Sequence, residues 1–150
     1  MNKLYVVGIG PGSKENMTFK AVDAIKEAET IVAYTKYLDY VEDFIAGKEI
    51  IKTGMTGEKE RCQLAIDEYN KGKTVAIIST GDSGLYGMAG LVYEIDSSIN
   101  IEVVPGVSAA FSSASVVGAP LMHDTALISL SDLLTDWDLI LKRVRNCADA

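Results

Sequence analysis

Lys73–Gly90 reads KTVAIISTGDSGLYGMAG, and its interpretation decides the fold. Val75-Ala76-Ile77-Ile78 is a short apolar run with the composition of a strand buried on both faces. It breaks at Ser79-Thr80-Gly81-Asp82-Ser83-Gly84 and resumes as an apolar segment with Gly87 and Gly90, the start of a helix. A strand, a glycine-rich turn and a helix in that order bring bare backbone and one carboxylate, Asp82, to the carboxyl edge of a sheet. In open α/β sheets that edge is where ligands bind. The same residues also suit a plain tight turn in which Asp82 is the N-cap of the helix.

Upstream, Leu4–Ile9 reads as a first strand running into Gly8-Ile9-Gly10-Pro11-Gly12-Ser13. This loop fails the dinucleotide fingerprint, because Ser13 stands where the third glycine belongs, and its Ser13-Lys14 order fails the phosphate-cradling loop. Pro11 stiffens it, so Gly10 and Gly12 suit close approach by a flat or bulky ligand. Thr18 can cap a helix whose Ala21, Ala24, Ile25 and Ala28 form a narrow apolar stripe. Thr30–Tyr34 is a second strand, Tyr37–Ile45 a helix ended by Gly47, and Glu49–Ile51 a third strand. Thr56 precedes a helix with Cys62, Ala65, Ile66 and Tyr69 on one face, stopped by Gly72. Ile101–Val104 is a fifth strand, ending at Pro105-Gly106-Val107-Ser108-Ala109-Ala110, and 109–117 is a helix rich in Ala and Ser. Strands alternating with helices in this way predict an α/β fold: a mostly parallel five-stranded sheet flanked by helices on both faces.

Gly118-Ala119-Pro120 breaks the pattern. The expected organisation is an α/β domain over 1–117, a linker over 118–125 and, over 126–150, the start of a truncated second α/β domain. There Ala126–Ser129 opens a strand and Thr135 caps a helix. Asp136 and Asp138 in its first turn and Lys142, Arg143 and Arg145 towards its end suit the helix dipole, and Trp137, Ile140, Leu141 and Val144 form its apolar face. The 150 residues carry a net charge of −7, against a general nucleic-acid surface or a polybasic membrane anchor. No apolar run approaches the ~18–20 residues that span a bilayer, and no signal-peptide pattern opens the chain. Cys62 and Cys147 read as reduced buried thiols of a cytoplasmic protein. One histidine and two scattered cysteines give a zinc site almost no support.

Four pieces resemble, in order and spacing, the tetrapyrrole (corrin/porphyrin) methylases: Val7–Gly12, Thr80–Gly87, Val104–Ala110 and Gly118–Leu121. Met122-His123-Asp124, Ile128–Thr135 with Trp137, and Gly87–Leu91 resemble the precorrin-3B (cobalt-precorrin-3) C17-methyltransferase branch of cobalamin synthesis. The resemblance implies a two-domain S-adenosylmethionine-dependent C-methyltransferase acting on a corrinoid precursor, with ring contraction, and a homodimer. It places the cofactor in the cleft between domains, held by Gly81, Asp82, Leu85, Tyr86, Ser108 and Ala109, with Pro11 nearby. Ser83 stands where the family often has proline, which should loosen the turn slightly. A tetrapyrrole carries many carboxylates, so Lys36, Lys52 and Lys59, with Arg61, are expected to meet it near the sheet edge, beside the Gly10–Gly12 loop. Proton transfer falls to His123 and Asp124, with Asp132 behind them; His123 alone has an unperturbed pKa near neutrality. The alternatives are a non-catalytic fragment of such an enzyme, or a diphthine-synthase-like or ribosomal-RNA methyltransferase of the same fold. Residues 122–137 and the acidic composition speak against the second alternative.

Overall fold

The computed structural model describes every residue except 1, 120, 122–124, 131–134 and 148–150. The chain forms two compact units, Met1–Ser113 and Ala114–Ala150. The first holds a five-stranded sheet of β1 (Leu4–Gly8), β2 (Thr30–Tyr34), β3 (Glu49–Thr53), β4 (Val75–Ser79) and β5 (Ile101–Val104). Its strand order is β3-β2-β4-β1-β5 and every pairing is parallel. The helices are α1 (Phe19–Glu27), α2 (Glu58–Asn70), α3 (Ala89–Ile95), α4 (Ala109–Val117) and α5 (Trp137–Asn146).

Successive side chains of a strand point to opposite faces, and the core divides accordingly. Tyr5, Val7, Ile31, Ala33, Ala76 and Ile78 pack with Ala21, Ala24 and Ile25 of α1 on one face. Leu4, Val6, Val32, Val75 and Ile77 pack with Cys62, Ala65 and Ile66 of α2 and Val92 of α3 on the other. The connection leaving β1 therefore turns to one face and that leaving its neighbour β4 to the other. Such a reversal opens a crevice at the carboxyl ends of the strands.

The five strands lie where the sequence pattern puts them. Thr18 caps α1, accepting the Ala21 N–H at 3.1 Å. The expected helix at 37–45 is instead two 3₁₀ turns, Thr35–Tyr40 and Glu42–Phe44, broken at Val41. Val41 is fully buried, with Tyr37, Leu38, Phe44 and Ile45 packed against the same core. The apolar spacing is helical, but satisfying it needs only two tight turns. α2 starts after Gly57 rather than Thr56, which takes a left-handed φ of 66°. Cys62 is buried, and burial pushes its thiol up to about 11; Cys147, expected to be buried, is only partly so.

In the second unit, Gly118 (φ 67°) follows the end of α4, and Ala119 N–H donates to Ala114 O at 2.9 Å. Ala126–Ser129, expected as a strand, has no regular structure. Asp136, not Thr135, caps α5, accepting the Asp138 N–H at 2.8 Å. On α5 Ile140 is buried, while Trp137 and Val144 are exposed.

Two glycines separate close packing from mere flexibility. A Cβ on Gly106 would lie 2.2 Å from Gly81 O and 2.6 Å from Gly8 O, whereas one on Gly90 in α3 meets nothing within 4 Å. In urea denaturation Gly106→Ala is expected to lose about 3 kcal/mol by overpacking, and Gly90→Ala to gain about 0.5–1 kcal/mol of helix propensity. A thiol reagent at pH 8 should label Cys147 promptly and Cys62 only on unfolding, because a buried, protonated thiol is inert.

Candidate functional site

The loops after β1, β4 and β5 meet backbone to backbone at the carboxyl edge of the sheet. Gly10 and Gly81 form an antiparallel bridge, Gly10 N–H to Gly81 O at 3.0 Å and Gly81 N–H to Gly10 O at 2.7 Å. Both take left-handed φ, 70° and 62°, which glycine adopts without steric cost. A Cβ on Gly8 would sit 2.8 Å from Gly106 N, Gly81 O and Ser83 N. Thr18 ties in the start of α1 by donating its hydroxyl to Pro105 O at 3.2 Å.

Asp82 joins two of these loops. Its Oδ1 accepts the N–H groups of Gly84 at 2.9 Å and Leu85 at 3.1 Å, and its Oδ2 accepts that of Gly106 at 3.0 Å. It is therefore not the N-cap of α3, which starts only at Ala89, after Met88. Ser83, expected to loosen the turn, ties it instead. Its side chain is fully buried and its hydroxyl donates to Val104 O at 3.1 Å, a bond that a proline there could not make.

Beside this junction lies a cavity of about 380 Å³ lined by Asp82, Leu85, Gly106, Val107, Ser108 and Phe111. Ser108 is buried, and its hydroxyl accepts the Ala110 N–H at 3.2 Å in the first turn of α4. Of the residues expected to hold a cofactor, Asp82, Leu85 and Ser108 line the cavity, while Gly81 is outside the lining and forms the bridge to Gly10. Ala109 is exposed, with its N 3.7 Å from where a Gly81 Cβ would be. Pro11 is exposed and not part of the lining. Gly10 belongs to the bridge, and Gly12 (φ 115°) lies under the Tyr40 ring.

Tyr86 belongs to a second, smaller pocket of about 130 Å³ on the other side of the β4 loop, with Tyr37, Glu58, Arg61, Ser79, Thr80, Gly87 and Met88. It holds a left-handed φ of 54°, a conformation that non-glycine residues adopt at a cost. Arg61, expected with the lysines to meet the tetrapyrrole near the sheet edge, differs from them in being buried, at 4% exposed. Its Nε donates to Thr53 Oγ1 at 2.8 Å and its Nη2 to Gly54 O at 3.0 Å. The signal was present: Arg61, Ala65 and Glu68, at helical spacing on α2, are all buried.

Lys36, Lys52 and Lys59 are exposed and outside both pockets; Lys59 borders a separate hollow with Gln63, Leu91, Glu94 and Ile95. His123 and Asp124, expected to move protons, and Asp132 lie outside the described residues.

Comparison with known proteins bears on the whole chain. The family model of the tetrapyrrole (corrin/porphyrin) methylases matches residues 3–149. A Salmonella typhimurium protein named probable cobalt-factor III C(17)-methyltransferase is 49% identical over 151 residues, covering 98% of this chain and 63% of that protein. The crystal structure of the methyltransferase CobJ superposes with a TM-score of 0.87 at 30% identity, covering 99% of this chain and 64% of that one. Uroporphyrin-III C-methyltransferase from Thermus thermophilus, solved with S-adenosylhomocysteine, gives a TM-score of 0.63 at 27% identity, over 82% of this chain and 54% of that one. The chain thus spans under two thirds of the length of these proteins, and as little as 29% of another curated relative. A match that runs from the first strand through α5, on a sheet of the same architecture, shows that this chain belongs to the tetrapyrrole (corrin/porphyrin) methylase family.

Proposed function

We propose that the protein transfers a methyl group from S-adenosylmethionine to carbon 17 of a corrinoid precursor, cobalt-factor III or precorrin-3B, with ring contraction, in cobalamin biosynthesis. The observation that carries this reading is the cavity built on Asp82, Leu85 and Ser108 at the locked carboxyl edge. The names of the relatives, cobalt-factor III methyltransferases among them, support the reaction class and the substrate. The reading further makes the protein a cytoplasmic homodimer.

The cavity residues fit the cofactor's chemistry. A volume of about 380 Å³ falls within the ~300–1,000 Å³ of small-molecule sites. A carboxylate offers about four lone-pair sites, and Asp82 uses three on backbone N–H groups. The remaining one, and the charge, suit an ammonium or hydroxyl group of a cationic ligand. The Ser108 hydroxyl accepts from Ala110, which leaves its hydrogen to donate. Leu85, Val107 and Phe111 supply apolar surface that keeps water from the ligand. The cofactor brings an already activated methyl group. The protein's task is then to hold the acceptor carbon in line and keep the site dry. His123 and Asp124 are the proposed groups for the proton that leaves the methylated ring.

Calorimetry with S-adenosylhomocysteine and a methyl-transfer assay on cobalt-factor III test this. The intact protein is expected to bind the former and methylate the latter. Asp82→Asn, which replaces one acceptor oxygen by a donor, should weaken S-adenosylhomocysteine by at least tenfold, about 1.4 kcal/mol. A folded intact protein that binds no S-adenosylhomocysteine would sink the proposal.

A further inference from the structure

The 130 Å³ pocket beside Tyr86 holds a buried positive charge with no negative partner among the described residues. No Asp or Glu among the described residues lies within 4 Å of the Arg61 guanidinium. Glu58 borders the same pocket but is exposed and makes no ion pair with it. Of the five guanidinium N–H groups, one goes to Thr53 Oγ1, one to Gly54 O, and Nη1 reaches only the weak acceptor Met88 Sδ at 4.0 Å. The Tyr34 ring lies 5.9 Å from the guanidinium carbon. These neutral contacts fix the fork in place without neutralising it, and burying an unpaired charge is costly.

A second polar group in the same pocket is unmatched. Ser79, at the end of β4, is 5% exposed, and its Oγ is the one buried side-chain polar atom without a hydrogen-bond partner among the described residues. Native proteins satisfy most such groups, and an exception calls for a reason. A fixed guanidinium edge and a hydroxyl in one small pocket together match a carboxylate, which takes a paired Arg contact and one more donor. At about 130 Å³ the pocket has room for a carboxylate arm and not for a macrocycle or a nucleoside. Residues of the β4 loop line both this pocket and the proposed cofactor cavity, Leu85 the cavity and Tyr86 the pocket.

We propose that Arg61 and Ser79 bind a carboxylate of a ligand held at this edge of the sheet, and that Arg61, rather than the exposed Lys36, Lys52 and Lys59, is the main cationic determinant. Resting on the reading above, two ligands carry this group: the tetrapyrrole, on its peripheral arms, and the cofactor, on its amino-acid end. The variants are Arg61→Met, which keeps much of the side-chain volume without the charge, and Ser79→Ala, which removes an unpartnered hydroxyl and should leave the fold intact. In the intact protein Arg61→Met is expected to weaken one carboxylate ligand at least tenfold and Ser79→Ala severalfold. The affinity for methylthioadenosine, which lacks the amino-acid end, should be unchanged. A raised KM for cobalt-factor III with unchanged S-adenosylhomocysteine binding assigns the substrate's carboxylate; the reverse assigns the cofactor's.

Sodium acetate, compared with sodium chloride at equal ionic strength, probes the pocket without either ligand. It should raise the melting temperature of the wild type and not of Arg61→Met. An acetate effect lost in Arg61→Met supports the site even where the wild type transfers no methyl group, in which case only the assigned reaction fails. If folded Arg61→Met and Ser79→Ala match the wild type with all of these probes, the proposal is overturned.

Discussion

Three backbones pass at this sheet edge, and at Gly8 and Gly106 there is no room for a β-carbon between them. Gly8 ends β1, and Gly81 and Gly106 follow its neighbours β4 and β5; a methyl group on Gly8 or Gly106 would strike the main chain of the others, and Gly81 holds a left-handed φ of 62°. Close approach of this kind is what glycine permits and every other residue forbids. The Gly10–Gly81 bridge and the three N–H bonds to Asp82 then fasten what the glycines allow to touch. The cavity beside them is a consequence of this fastening: its polar groups are presented by loops that hold one another.

The β4 loop divides the site. Its central strand lies between β2 and β1, both of which send their connections to the opposite face. The loop therefore crosses open ground at the edge and presents a different surface on each side. One side carries Asp82 and Leu85 beside Ser108 and Phe111. The other carries Ser79, Thr80 and Tyr86 beside Arg61. The left-handed turn at Tyr86 lets neighbouring residues serve different pockets, and its backbone cost is sustained because the surrounding loop is over-determined.

Much of this could be read from the sequence, for definite reasons. The strands are short apolar runs bounded by glycine, and a doubly covered parallel sheet leaves them little ambiguity. Asp82, Leu85 and Ser108 follow from motif resemblance, and the cavity brings them together. What could not be read depends on partners distant in the chain. The Asp82 bond to Gly106 and the Ser83 bond to Val104 link residues more than twenty apart, so local propensity could suggest only an N-cap or a loosened turn. Arg61 was grouped with the lysines around the loop after β3, although its place one helical turn before Ala65 put it on the buried face. The segment at 37–45 has the spacing of an α-helix and the backbone of two 3₁₀ turns, a choice that side-chain periodicity alone does not make. Pro11 and Ala109 were placed by the family resemblance and the three lysines by proximity to an edge, and each fixes a neighbourhood and not a lining.

The bridge between Gly10 and Gly81 has one more consequence, for how the molecule breathes. Its amides extend the hydrogen-bonded ladder of β1 and β4, the interior strands, past the formal end of the sheet. Loops of a binding site commonly exchange their amide protons through small local openings. Here the loop cannot lift away without also breaking the Asp82 bonds and exposing the Ser83 hydroxyl, so its opening is coupled to that of the innermost strands. The Gly10 and Gly81 amides are then expected to exchange with the strands they extend rather than with the loops. Any tuning of ligand choice is then confined to side chains that project from the frame, such as Leu85 and Phe111, while the frame itself stays as it is.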